Sequence, residues 1–85
     1  MNKLILPLIS DSGHSWMKVD NVILQELNIF DRLTPYSPKL SEFSYLEEDV
    51  DMTMFLNEAK KAGYELDIRE LDIEDFDAYL ESLEK

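Results

Sequence analysis

Asp11, His14 and Ser15 place the residue types of a hydrolytic triad within one short run, Asp11-Ser12-Gly13-His14-Ser15. That chemistry needs three side chains converging in space, and neighbours along a turn or strand point in different directions. Gly13-His14-Ser15-Trp16-Met17 also lacks the second glycine of a nucleophile elbow. The segment reads as a turn entering a strand, with Trp16 as a core or interface anchor. Asp49-x-Asp51-x-Thr53 opens like a calcium loop, but Met54 stands where glycine is required and Lys60 where a bidentate Glu belongs. A start at Asp72-x-Glu74 fails in the same way, with Asp77 and Leu83 at those places. One histidine, two glycines and no cysteine leave no thiolate metal site and no glycine-rich phosphate loop. The expectation is a protein that is not an enzyme and carries no cofactor, no metal and no small-molecule substrate.

The carboxylates are the remaining chemistry. The chain has 85 residues and a net charge of −11, and 15 of its 19 acids follow Ser41. Residues 1–41 are balanced, Asp11, Asp20, Glu26 and Asp31 against Lys3, Lys18, Arg32 and Lys39. Segregated charge differs from a solubilising surface, which mixes signs. It repels phosphate, so direct binding of nucleic acid or an anionic membrane is disfavoured and a basic partner is favoured. Glu74, Asp77, Glu81 and Glu84 recur every three to four residues. On a helix rising 1.5 Å per residue, such carboxylates repeat every ~4.5–6 Å, a spacing comparable with phosphates along a nucleic-acid strand. The candidate partner-binding residues are therefore Glu47, Glu48, Asp49, Glu74, Asp75, Asp77, Glu81 and Glu84. The competing surface is aromatic: Trp16, Tyr36 and Tyr45.

The elements that must position these groups follow from periodicity. Residues 3–9 read as a strand, with Pro7 acceptable on an edge. Its apolar run is far shorter than the ~20 residues of a membrane span and has no small-residue cleavage pattern, so a soluble, cytoplasmic protein is expected. Residues 14–19 alternate as a second strand, with Ser15, Met17 and Val19 on its apolar face. Asp20 caps a helix to about Asn28, with Ile23, Leu24 and Leu27 facing inward. Residues 33–37 and 42–47 are expected to pair as a hairpin, weakened by Pro35. Asp51 is expected to cap a helix carrying Met52, Phe55, Leu56, Ala59 and Ala62 inward and ending at Gly63. Tyr64, Leu66 and Ile68 then alternate as a strand. Asp72, with Asp75 three residues on, is expected to cap a last helix whose apolar stripe is Ile73, Phe76, Leu80 and Leu83, widened by Tyr79. The fold class is α+β: one small domain over residues 1–85, a mostly antiparallel sheet of four to five short strands, and about three helices, the last acidic and amphipathic.

Three segments, Asp11-Ser12-Gly13-His14-Ser15-Trp16-Met17-Lys18-Val19, Tyr45-Leu46-Glu47-Glu48-Asp49-Val50-Asp51 and Phe55-Leu56-Asn57-Glu58-Ala59-Lys60-Lys61-Ala62-Gly63, together resemble a family of small uncharacterised proteins of phages and other mobile elements. That family reads His-Gly-Trp and Leu-Glu-Glu-Asp-Cys-Asp where this chain has Ser15 and Val50 as departures. The resemblance spans residues 11–63 and carries no functional residues with it. It implies a mobile-element origin and a host-cell cytoplasm. Small acidic proteins of that origin are often inhibitors of host defence, including anti-CRISPR and anti-restriction proteins. The expected function is therefore stoichiometric inhibition of a basic, nucleic-acid-binding host protein or complex through a nucleic-acid-mimicking acidic surface. The alternative is a mobile-element adaptor or regulator that binds through the aromatic patch or a sheet edge.

Overall fold

The computed structural model describes residues 2–83, which form an α+β domain built on a four-stranded mixed sheet. The elements are β1 (Lys3–Ser10), β2 (Ser15–Asp20), α1 (Asn21–Glu26), a 3-10 turn (Phe30–Arg32), β3 (Phe43–Glu47), α2 (Val50–Lys61), β4 (Glu65–Asp72) and α3 (Phe76–Leu83). The spatial order is β3-β2-β1-β4. β2 is antiparallel to both neighbours, and β1 and β4 are parallel in register from Lys3–Glu65 to Ser10–Asp72. The β3–α2–β4 crossover thus carries the chain from one edge of the sheet to the other. No described helix is long and apolar enough to cross a membrane.

Strand alternation sends side chains to two cores, one on each face of the sheet. Met17, Val19, Leu6 and Leu46 meet Leu24 of α1 and Met52, Phe55 and Ala59 of α2 on one face. Ile9, Tyr45 and half-buried Trp16 meet Phe76 of α3 on the other. The six-residue α1 is capped as its sequence requires, the Asp20 carboxylate accepting from the Val22 amide at 2.9 Å. Gly63 closes α2 with φ +88°, a conformation that disfavours a side chain.

Five local expectations are corrected. β1 is an interior strand, not an edge, and its pairing with β2 stops at Leu8–Met17, immediately after the proline that can donate no ladder bond. Residues 33–37 form no hairpin arm. Thr34 to Ser37 is a turn closed by Ser37 N–H donating to Thr34 C=O, and the only ladder contact of this region is a single Lys39–Ser44 bridge. β3 pairs with β2 instead. Asp51 does not cap α2. It lies inside the first turn, fully buried, while Glu47 receives the amides of Asp49, Val50 and Asp51. Asp72 ends β4 rather than capping α3, because β4 remains paired to Ser10 at that position. Asp75 supplies the cap, its Oδ2 accepting from Ala78 N–H at 3.1 Å. Glu74 consequently precedes α3, and the expected four-carboxylate helical row reduces to Asp77 and Glu81 on α3. Glu84 lies outside the described residues.

Candidate partner-binding site

Tyr36 is 79% exposed, the most solvent-accessible large aromatic among the described residues. It sits on the Thr34–Ser37 turn, where Pro35 pre-sets the backbone for the second turn position. The turn is fastened from below by Asp51. The Asp51 Oδ2 accepts from Thr34 N–H at 2.9 Å, from Thr34 Oγ1 at 2.8 Å and from Ser37 Oγ. Ser37 Oγ in turn accepts from Glu47 N–H at 3.0 Å, tying the turn to the end of β3. A buried carboxylate with three donors thereby fixes the turn that presents Tyr36 to solvent.

Beside Tyr36 opens a cleft of about 330 Å³, lined by Trp16, by His14 and Ser15, and by the run Glu47 to Asp49. The Trp16 indole is packed face to face on Phe76, centroids 3.7 Å apart, which fixes this wall to α3. His14 stands edge-on to Trp16 at 5.9 Å and its Nδ1 lies 3.3 Å from Glu48 Oε1. Glu47 is spent on the amides at the α2 N-terminus, where it offsets the positive end of the helix dipole. Its place among the expected partner-binding residues is therefore corrected: its carboxylate is a helix cap. Glu48 and Asp49 are exposed, Glu48 with one carboxylate oxygen turned to His14.

Asp11 joins this cleft to the second acidic segment. Its Oδ1 accepts from the Gly13 and His14 amides at 3.0 and 2.9 Å, and its Oδ2 from the Phe76 amide at 3.2 Å. These backbone donors, Gly13 foremost, hold the Asp11 carboxyl below its ordinary pKa. One side chain thus organises the β1–β2 turn and the start of α3, bringing Glu74 and Asp75 to the end of the molecule that carries His14 and Glu48. Glu74, Asp75, Asp77 and Glu81 are all exposed. The ion pairs formed by lysine and arginine among the described residues are Lys3 with Glu65 and Asp67, Arg69 with Asp67, and Lys61 with Glu58. None of these cations neutralises Glu48, Asp49, Glu74, Asp75, Asp77 or Glu81.

The remaining candidates disperse. Asp11, His14 and Ser15 form no triad: the His14 ring turns to Glu48 and the Ser15 hydroxyl to Ser10 Oγ at 2.7 Å. Asp51 faces inward from the calcium-like segment, and among the described residues no group of three His, Asp or Glu side chains is gathered for a metal ion. Tyr45, expected among the accessible aromatics, is 1% exposed and belongs to the core, where burial and the neighbouring Tyr79 push its phenol pKa up. The anchoring roles of Asp11 and Asp51 carry no sequence signal, since each depends on a contact made only by the folded chain. No protein-family model, curated protein or solved structure matches this chain.

Proposed function

We propose that this protein is a non-catalytic inhibitor that binds stoichiometrically to a basic, nucleic-acid-handling host defence protein or complex, in the anti-CRISPR or anti-restriction class, in the host cytoplasm. The observation that supports this most is the set of exposed carboxylates without lysine or arginine partners among the described residues, Glu48, Asp49, Glu74, Asp75, Asp77 and Glu81, drawn from two separate segments that Asp11 and His14 join. A surface of this sign steers toward a positive groove and repels the phosphates that would otherwise occupy it. Mimicry here rests on charge density rather than on a long helical row, since only Asp77 and Glu81 of that row lie on described helix. The resemblance to mobile-element proteins supplies the biological setting of the proposal.

A pull-down from host lysate with the Glu74→Lys, Asp77→Lys, Glu81→Lys triple variant tests it. Asp75 is left alone because it caps α3. The native protein should retain a basic nucleic-acid-handling complex and the variant should lose it, with far-UV circular dichroism unchanged. Equal retention by both proteins contradicts the proposal.

An adaptor reading has its own observation. β4 is an eight-residue edge strand paired only with β1, and Ile68 and Leu71 on it are nearly half exposed. Such an edge can accept an added strand. Partner binding that survives the triple reversal but fails on Leu71→Glu favours this reading.

A further inference from the structure

We infer that the Trp16–Tyr36 cleft is a receptor for an arginine side chain of the partner protein, an assignment that rests on the proposed function and deepens it. Three features of the cleft specify a planar cation. Two aromatic side chains line it, and a guanidinium gains from stacking on such rings. Asp49 and Glu48 supply carboxylates for its forked donors; no lysine or arginine lines the cleft, and the one neighbouring side chain an incoming guanidinium must compete with is His14, whose Nδ1 lies 3.3 Å from Glu48 Oε1. The positive end of α2, which would oppose a cation, is already occupied by Glu47. The volume of about 330 Å³ is at the lower limit for small-molecule sites and suits one inserted side chain rather than a cofactor.

The construction of the site argues in the same direction. Here Asp51 immobilises Thr34 and Ser37 on both sides of Tyr36, and Phe76 immobilises Trp16. A turn backbone and an indole held in place before the ligand arrives lose little entropy on binding it, the property of an interface anchor site.

Trp16 is the only tryptophan, so its fluorescence reports on the cleft directly. The native protein is titrated with acetyl-Gly-Arg-Gly-amide, with the citrulline peptide as an uncharged isostere and the lysine peptide as a non-planar cation. Backbone and indole NMR shifts are followed in parallel. The arginine peptide should shift Trp16, Tyr36, Glu48 and Asp49. Tyr36→Phe should retain that binding, while Tyr36→Ala and Glu48→Gln should each weaken it about five- to tenfold, as loss of one ring or one charge predicts. Citrulline binding equal to arginine, lysine binding equal to arginine, or shifts confined to α3 each overturn the inference. Loss of lysate capture on reversing Glu74, Asp77 and Glu81 with Tyr36→Ala inert sinks the cleft and spares the inhibitor reading. The opposite pattern, with arginine-peptide binding intact, keeps the cleft and removes the inhibitor.

Discussion

Asp51 shows how a single carboxylate can matter for placement while remaining invisible from outside. Its Oδ2 satisfies three donors and its Oδ1 is buried without a partner among the described atoms, so truncation leaves Thr34 and Ser37 unpaired in the interior. Asp51→Ala should cost about 2–4 kcal/mol in urea unfolding, the penalty for orphaned buried polar groups; a loss under about 0.5 kcal/mol, the size of a surface change, contradicts the assigned role. Asp11 and Asp67 contribute to the acid response. Backbone amides lower the Asp11 pKa and the Arg69 guanidinium lowers that of Asp67. Both carboxyls therefore bind protons more weakly folded than unfolded. Their stabilisation is complete above the unfolded value near 3.8 and disappears as pH falls through the lower folded values. The urea midpoint should hold from neutrality down to about pH 5 and fall below about pH 4, and Asp11→Asn should flatten that fall. An unchanged acid profile in Asp11→Asn assigns the response elsewhere. The long-range partnerships were not readable from sequence, because Asp11 meets Phe76 and Asp51 meets Thr34 only after folding.

At the scale of elements, α3 is the one whose sequence said most and whose caps said least. Its apolar stripe is legible in part: Phe76, Tyr79 and Leu80 pack toward the sheet, Ile73 does so from ahead of the helix, and Leu83, expected inward, is exposed at the helix end. Its start was displaced because β4 continues to Asp72, a long-range pairing that overrides a local capping signal. The same competition removed the expected 33–37 strand, since β2 offered β3 a better partner than a segment carrying Pro35. An eight-residue helix is not stable alone, so α3 depends on the Phe76 contact with Trp16, Tyr45 and Ile9. Phe76→Ala should destabilise by about 3–5 kcal/mol and shift Trp16 emission to longer wavelength as the indole meets water. Native-like emission in that variant shows that α3 is held by other contacts.

For the whole molecule, the α+β class and the three helices followed from alternation and helical spacing, whereas of the five strand segments alternation suggested the 33–37 one is absent and the sheet has four. The strand order and the meeting of residues 14–16, 36 and 47–49 around one cleft did not, because they arise from how distant segments pack. The charge segregation seen along the chain becomes, in the fold, carboxylates without lysine or arginine partners at the His14–Asp49 end and along α3, while the described salt bridges of the lysines and Arg69 engage other acids. The central claim is that this charge makes the contact. The most direct measurement is the dissociation constant for the captured partner across a salt series from about 0.05 to 0.5 M, in which exposed charges become largely screened. The account predicts affinity falling by at least about tenfold across the series, with the Glu74→Lys, Asp77→Lys, Glu81→Lys variant binding weakly throughout. Affinity that is flat with salt and equal in the two proteins contradicts it.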